Sequence, residues 1–455
     1  MSLPHERTRA GHPALGPRRT RIRFAIIALV FVVSTLNNAD RAILSITGTE
    51  IQDGLGFNAV TLGYLFSAFA WAYMLAQLPG GWIVDRFGAR RTYAGSIFLW
   101  SIMTVLQGFV PLFGLGSAVV ALFVLRLAVG LAEGPAYPAN ARVVATWFPA
   151  SERATASSIF NASQYAAPVV FTPFMAWLTH EYGWPWAYFV MGGLGLLLSL
   201  AWWKIYAAPR EHSGANAAEV AHIADGGGLV DIEEGDHTAA GDGITAWGCV
   251  KVLLTSRLMI CVYIGQFFIT TLVYFFLTWF PIFLVRELGM SLLKAGFTAS
   301  MPAIFGCVGG ILGGVFSDRL LKRGLSETVA RKVPIVAGLL LSTSIVFCAG
   351  TTSQTLVIVL MALAFFGKGL GSLGWTVVSD TSPKEAAGIA GGLFNTFANL
   401  AGITTPIIIG YLVHATGSFD AALVFVGASG LAAVIAFLAA GPIRRITLTP
   451  AKDNT

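Results

Sequence analysis

Charge is what this sequence has least of. Only 11% of its 455 residues are Asp, Glu, Lys or Arg, while 55% are apolar; an ordinary soluble domain carries about 25% charged residues. That composition excludes a water-soluble globule. Cysteine is also scarce: Cys249, Cys261, Cys307 and Cys348 form no CxxC pair and have no His at ligand spacing, so neither a disulfide frame nor a metal centre is expected. No GxxxxGK[ST] phosphate loop occurs, which leaves no ATP motor in the chain. Gly369-Leu370-Gly371-Ser372-Leu373-Gly374 fits GxGxxG, but it lies inside an apolar run with no strand before it and reads as close helix packing. His180 and His414 sit near the ends of apolar runs without an acid and nucleophile beside them, so hydrolytic chemistry has no candidate.

What is present is a series of apolar runs. They fall at about 24–48, 59–83, 92–112, 118–140, 153–177 and 185–207, then at 257–285, 294–316, 333–351, 354–378, 387–413 and 419–441. A hydrocarbon core about 30 Å thick needs about 20 apolar residues per helix, and each run suffices. The expected fold is an all-α membrane protein of 12 transmembrane helices in two six-helix bundles. Residues 208–250 hold eight acids, Glu211, Glu219, Asp225, Asp231, Glu233, Glu234, Asp236 and Asp242, and read as a solvated linker. The chain therefore divides into a tail (1–23), a first bundle (24–207), the linker (208–250), a second bundle (251–441) and a tail (442–455).

The cations report orientation. With the N-terminus inside, 24 of the 29 Lys and Arg residues fall on one side, leaving Arg41, Arg126, Arg286, Lys294 and Lys368. The positive-inside bias then puts both termini in the cytoplasm and the span count at an even number. The first twenty residues contain Arg7, Arg9, Arg18 and Arg19 and no apolar run, so no cleavable signal peptide is expected. The scattered cations form no basic face for a nucleic acid; the expected surroundings are the lipid bilayer.

The chain repeats itself. Gly80-Gly81-Trp82-Ile83-Val84-Asp85-Arg86 recurs 233 residues later as Gly313-Gly314-Val315-Phe316-Ser317-Asp318-Arg319. Val143-Val144, Pro149 and Phe160-Asn161 recur 234 residues later as Val377-Val378, Pro383 and Phe394-Asn395. Two matches at nearly one offset imply bundles related by a repeat, with a site between them near the bilayer midplane. In the loop Gly81-Trp82-Ile83-Val84-Asp85-Arg86-Phe87-Gly88-Ala89-Arg90-Arg91, glycines permit a tight turn, and Asp85 can hold arginines or a helix N-terminus in one global state and release them in another. Asp318 and Arg319 repeat that arrangement; a merely solvated basic loop is the alternative. Gly309 with Gly313, and Gly310 with Gly314, read as packing pairs.

A charge at the bilayer centre costs about 2.5 to 3.5 kcal/mol on insertion scales, so buried ionisable groups usually face a cavity and act there. The first run contains Asn37, Asn38, Asp40 and Arg41, and the fourth contains Arg126 and Glu133 on one helix face. An acid there can be neutralised by an arginine or by a proton, the exchange a proton-coupled carrier needs; static ion pairs are the alternative. Arg41 and Arg126 can each bind a carboxylate bidentately. Lys368, deep in the tenth run, adds a cation from the other bundle, which suits a molecule with a carboxylate at each end; pairing with Asp380 is the alternative. Gln164, Gln266, Asn395 and Asn399 supply neutral donors and acceptors, while Tyr73 and Trp375 supply an amphipathic wall.

The loop over residues 81–91 resembles the signature of the major facilitator superfamily. Asn38-Ala39-Asp40-Arg41-Ala42, Phe66-Ser67-Ala68-Phe69-Ala70-Trp71-Ala72-Tyr73, Gln77-Leu78-Pro79-Gly80-Gly81-Trp82, Phe276-Leu277-Thr278-Trp279-Phe280-Pro281, Phe365-Phe366-Gly367-Lys368-Gly369 and Gly374-Trp375-Thr376-Val377-Val378-Ser379-Asp380-Thr381 resemble its anion:cation symporter family, and within it the bacterial glucarate/galactarate permeases. The resemblance implies proton symport of a sugar acid across the bacterial inner membrane by a monomer, with the proton as coupling ion and no cofactor. It gives Asp40 and Glu133 the proton, Arg41 the substrate carboxylate, and Arg126 a pairing with the acids. It places Tyr73, Gln164, Ser372, Trp375 and Asn395 on the sugar-acid site. Asn38 departs from the tyrosine common in related carriers, which puts one hydroxyl contact in doubt. Lys368 matches the diacid carriers, where galactonate-type carriers look neutral. The other expectations weighed are a hexonate, hexuronate or other organic anion, and a membrane-embedded enzyme, for which no nucleophile with an activating base is apparent.

Overall fold

The computed structural model describes residues 19–231, 246–383 and 386–446. Arg7, Arg9, Arg18, Glu233, Glu234, Asp236, Asp242, Lys384 and Lys452 lie outside them. Among the described residues ten helical segments are long and apolar enough to cross a membrane. The first bundle comprises α1 (Ile22–Leu55), α2 (Ala59–Gln107), α3 (Leu115–Glu133), α4 (Ala136–Trp147), α5 (Arg153–Asn161), α6 (Ser163–Tyr182) and α7 (Trp184–Ile205). After α8 (Ala217–Asp225), the second comprises α9 (Ala246–Thr255), α10 (Arg257–Tyr274), α11 (Phe280–Arg286), α12 (Leu292–Lys322), α13 (Glu327–Ser342), α14 (Gln354–Leu370), α15 (Gly374–Thr381), α16 (Ala387–Thr416) and α17 (Asp420–Ala439).

Local chemistry sets the ends. Asn58, Ser291, Ser326 and Ser353 each accept from the backbone N–H three residues on, capping α2, α12, α13 and α14. The 49 residues of α2 are two limbs, because Gly88 takes φ 75°, ψ 162° between them, a conformation natural only to glycine. Thr92 Oγ1 donates to Ile83 O at 3.3 Å across that turn, whereas nine residues of continuous helix would span about 13.5 Å.

Other runs break near the expected site. The fourth changes helix after Glu133 at Gly134-Pro135, and the fifth at Ala162, just before Gln164. The seventh widens into a π-turn over Phe275–Trp279, and the tenth opens between Leu370 and Gly374. Broken helices with free backbone groups are what carriers place around a binding site.

The bundles meet through α2 with α16 and α6 with α12, and most of the close contacts lie at the end away from the 81–91 loop. A Cβ on Gly63 would sit 2.6 Å from Pro406 O, one on Gly410 2.7 Å from Ala59 O, and one on Gly296 2.4 Å from Ala176 Cβ. Arg286 donates to Asp53 across the seam and to Thr49 O at 3.4 Å. Tyr64 and Tyr411 hydroxyls approach to 3.3 Å there. On the loop side Gln164 and Trp375 are exposed.

Two expectations need correction. The segment read as solvated linker is folded over 208–231. Asn216 caps α8 by accepting from Glu219 N at 2.9 Å, and Ile223 and Val230 join the buried core beside Trp147 and Phe148. Glu219, an acid counted as solvated, is fully buried. It accepts from Thr20 Oγ1 (2.5 Å), Ile22 N (3.1 Å), Arg23 N (3.2 Å) and Arg23 Nη1 (3.2 Å). Those donors, the orphan N–H groups at the start of α1 among them, compensate its burial. The glycine pairs also separate. Gly309 and Gly313 do pack, with virtual Cβ atoms 2.2 Å from Phe366 O and 2.4 Å from Leu370 O. Gly314 has nothing within 4 Å, and Gly310 faces Ser372 and Tyr165 instead.

Burial would push the Glu219 carboxyl up, but the donors from Thr20, Arg23 and Ile22 outweigh it and hold the pKa below the ordinary 4.5. A depressed pKa contributes stability above the unfolded value and loses it as pH falls through the folded one. Acidification below about pH 4.5, towards and through the folded pKa, should therefore loosen α8. Glu219→Ala should do so at every pH, lowering stability by about 1 to 3 kcal/mol and exposing residues 208–231 to protease while the bundles stay folded; unchanged proteolysis would contradict the clasp.

Candidate functional site

The four intramembrane charges of the first bundle come together. Glu133, at the end of α3, is fully buried, and Arg126 and Asp40 are nearly so. Glycines put them there: a Cβ on Gly130 would lie 2.4 Å from Phe69 O, and one on Gly134 2.4 Å from Ala76 Cβ, so α3 lies directly on α2.

Arg41 Nε and Nη2 each lie 2.9 Å from Glu133 Oε2, and Nη2 donates to Asn37 Oδ1 at 3.1 Å. The guanidinium also covers two stacked rings, 4.5 Å from Tyr73 and 4.8 Å from Phe69. Asp40 Oδ2 accepts from Thr104 Oγ1 at 2.6 Å. Arg126 rests 5.7 Å from the Phe69 ring, and its Nε is buried without a hydrogen-bond partner, as is Glu133 Oε1.

This differs from the expected pairing. Arg41 holds the acid, and among the described residues Arg126 has no ion pair within 4 Å. The two static ion pairs weighed from sequence reduce to one. A buried guanidinium with an unsatisfied N–H and a carboxylate with a free oxygen are costly, and both are chemically ready to accept a ligand or a proton.

Lys368 sits in α14 just before the helix breaks, nearly buried. Its alternative partner is taken, because Asp380 pairs with Arg331 Nε at 2.9 Å. Among the described residues Lys368 makes no ion pair. Its Nζ lies 5.4 Å from the Phe365 ring and 5.8 Å from that of Tyr165, in the other bundle. Ser372 Oγ, which donates to Gly369 O at 2.6 Å, and Tyr165 Oη each lie 3.8 Å from the point a Gly310 Cβ would occupy. Lys368, Ser372 and Tyr165 thus face one small gap between the bundles.

The remaining predicted residues fall into two groups. Asn395 Nδ2 donates to Gln77 Oε1 at 2.7 Å, joining α16 to α2, and Asn399 donates back to Asn395 O. Trp375 packs edge-on against Phe394 at 4.9 Å and is otherwise exposed. Gln266 donates to Thr270 Oγ1 at 3.1 Å, with its Oε1 2.9 Å from a virtual Cβ on Gly374. Asn38 donates to Ser34 O at 2.7 Å and Ser163 Oγ at 3.2 Å, tying α1 to α6. Gln164 is exposed beside Tyr165. No hydrogen bond or ion pair among the described residues joins the Lys368 group to the Arg41 group.

The two loop copies are built alike. Asp85 accepts from Arg142 Nη1 at 3.0 Å, and Asp318 lies 3.7 Å from Arg331; both acids are mostly exposed, and both pair inside their own bundle. Arg86 stacks on Trp82 and Phe87, and Arg90 donates to Trp203 O at 2.9 Å.

The family model described as Major Facilitator Superfamily matches residues 30–326 and 324–454. The chain belongs to the major facilitator superfamily. It is 56% identical over 432 residues to a probable galactarate/D-glucarate transporter GudP of Bacillus subtilis (strain 168), covering 95% of this chain and 94% of that one. A probable galactarate/D-glucarate transporter GarP of Escherichia coli (strain K12) is 51% identical, with 94% and 96% covered. A D-galactonate transporter of Escherichia coli O6:H1 is 39% identical, with 95% and 99% covered. The inward open conformation of the E. coli xylose transporter XylE shares the fold, with TM-score 0.69 at 16% identity over 92% of this chain and 96% of that one.

For this superfamily member, sequence reasoning found the buried charges and missed what surrounds them. Phe69 lies one helical turn before Tyr73 on the same face, a signal available beforehand. Gln77 continues that face, whereas Thr104 and Tyr165 carry no such signal. A structural role and a binding role for Lys368 are separable by stability. Replacing an unpaired buried ammonium with an apolar side chain of similar length removes a desolvation cost, so Lys368→Met should raise the unfolding temperature of the purified protein, and a fall would reveal a structural partner.

Proposed function

We propose that this chain is a proton symporter of the bacterial inner membrane that takes up a sugar diacid, glucarate or galactarate, by alternating access. The observation that carries the reading is the buried Arg41–Glu133 contact at 2.9 Å, in which the guanidinium suited to a substrate carboxylate is occupied by an acid. Protonation of Glu133 releases Arg41; the substrate carboxylate then takes its place, with Arg126 and the rings of Phe69 and Tyr73 beside it. Asp40, held by Thr104, is the second proton carrier. Loss of the protons to the more alkaline cytoplasm restores the internal pair and expels the anion. Each ligand shifts the conformational equilibrium only by its differential affinity for the two states.

Twelve crossings with both termini cytoplasmic complete the reading, supported by the 24 cations that sort to one side and the turn at Gly88. On that orientation the sealed seam at Asp53 and Arg286 is periplasmic, and this conformation faces inward. Substrate, proton and lipid are the partners of a monomer that needs no cofactor. A diacid is favoured over the monoacid suggested by the galactonate-transporting relative because Lys368, buried and without an ion pair among the described residues, supplies a cation from the second bundle, 5.8 Å from the Tyr165 ring of the first. Gln164, Gln266, Trp375 and Asn395 supply the polar wall for the hydroxyls between. The loop acids Asp85 and Asp318 hold the bundle ends in this state.

Counterflow by purified protein in liposomes tests the substrate class: glucarate and galactarate should exchange, and exclusive exchange of monoacids would overturn the diacid reading. Asp40→Asn and Glu133→Gln should each abolish accumulation against a gradient, and wild-type accumulation by both would refute the proton role. Lys368→Asn should weaken glucarate uptake by about ten-fold or more, the size of a lost charge-assisted hydrogen bond, while sparing galactonate; equal loss for both would remove Lys368 from carboxylate recognition.

A further inference from the structure

Away from the site, the bilayer-facing surface is not evenly packed. The second limb of α2 and α7 run side by side, and near the far end they touch closely. A Cβ on Gly192 would lie 2.5 Å from Val105 Cγ2, and one on Gly195 2.1 Å from Ser101 Oγ. Towards the 81–91 loop they part into an open groove of about 440 Å³ lined by Arg91, Gly95, Phe98, Ser199, Leu200 and Trp203. Ser199 is turned away, its Oγ donating to Ala94 O at 3.0 Å. Phe98, Leu200 and Trp203 are about half exposed, and a Cβ on Gly95 would meet nothing within 4 Å. The groove is lined mainly by apolar side chains.

Its loop end is cationic. Arg91 lines the groove, Lys204 follows Trp203, and both are exposed with no ion pair among the described residues. Arg90 rests on the Trp203 ring at 5.2 Å and donates to its carbonyl. Arg86 covers Trp82 and Phe87. The one acid of this loop, Asp85, is bonded to Arg142. Arg90, Arg91 and Lys204 therefore stand at the loop end of this apolar groove with no ion pair among the described residues, beside an exposed tryptophan of the kind that sits at headgroup depth. Basic clusters at the end of an intramembrane groove attract anionic headgroups.

We propose that this groove is a site for an anionic phospholipid, with one acyl chain lying over Gly95 between Phe98 and Leu200 and the phosphate held by Arg91 and Lys204. The site is independent of substrate. It fastens a lipid between α2 and α7 of the first bundle.

Native mass spectrometry of the purified full-length protein in detergent, with phosphatidylglycerol or phosphatidylcholine of identical acyl chains, tests this. The wild type should retain phosphatidylglycerol preferentially. Arg91→Gln and Lys204→Gln should each weaken that retention about five-fold, and Gly95→Leu, whose Cβ meets nothing within 4 Å and whose side chain occupies groove space, should reduce retention of both lipids. Arg323→Gln, which removes an exposed cation at the end of α12, should leave the preference intact. Equal retention of the two lipids by the wild type, or a loss with Arg323→Gln as large as with Arg91→Gln, would overturn the site in favour of diffuse charge attraction. Thermal unfolding of each variant confirms that it is folded before its lipids are counted.

Discussion

A single buried contact, Arg41 with Glu133, organises the first bundle. A carboxylate with no exposed surface survives only with its charge compensated, and the compensation comes from a guanidinium 92 positions earlier in the chain. To bring the two together, α3 must lie close on α2, which requires Gly130 and Gly134 where any side chain would strike backbone. The helix must also end just past Glu133, and Gly134-Pro135 ends it. Phe69 and Tyr73 then form a stacked floor that carries the guanidinium, each ring contributing about 0.5 to 2 kcal/mol in a desolvated setting. Among the described residues this arrangement leaves Glu133 Oε1, Arg126 Nε and Asn37 Nδ2 buried without a hydrogen-bond partner, and on the proposed function the first two are where a proton and an anion enter.

The second bundle answers with the opposite economy. It holds one intramembrane cation of consequence, Lys368, which makes no ion pair among the described residues, Asp380 being bound to Arg331. The helix opens immediately after it, between Leu370 and Gly374, and the loop copy beyond repeats the Asp85 arrangement through Asp318. Sealing at Asp53 and Arg286 with exposure of Gln164 and Trp375 at the other end is what the proposed alternating cycle requires of one of its two states. The seam contacts that the opposite state of the proposed cycle must break include glycine packing, the Tyr64–Tyr411 hydroxyl contact and the exposed Arg286–Asp53 pair, and an exposed ion pair is individually weak.

The sequence made much of this legible for one physical reason. Charge is so expensive in hydrocarbon that Asp40, Arg41, Arg126, Glu133 and Lys368 stand out wherever the chain places them. The spans and the repeat follow from the same contrast. Pairing is another matter, since nothing in spacing says that Glu133 meets Arg41 and leaves Arg126 to lie against Phe69. Nor does composition disclose α8: Glu219 counts as one solvated acid among eight until the start of α1 supplies its donors, although the cap Asn216 with Glu219 three residues on was a readable helix start. Tyr165 and Thr104 matter through contacts across helices, which no local pattern encodes.

The central claim is that substrate replaces an internal carboxylate, which must take up a proton to leave. Calorimetric titration of galactarate into the purified protein, repeated near neutral pH in buffers of different ionisation enthalpy, measures this directly. The account predicts net proton uptake on binding, seen as an observed enthalpy that varies linearly with that of the buffer. An enthalpy independent of the buffer, with saturable binding intact, would contradict it.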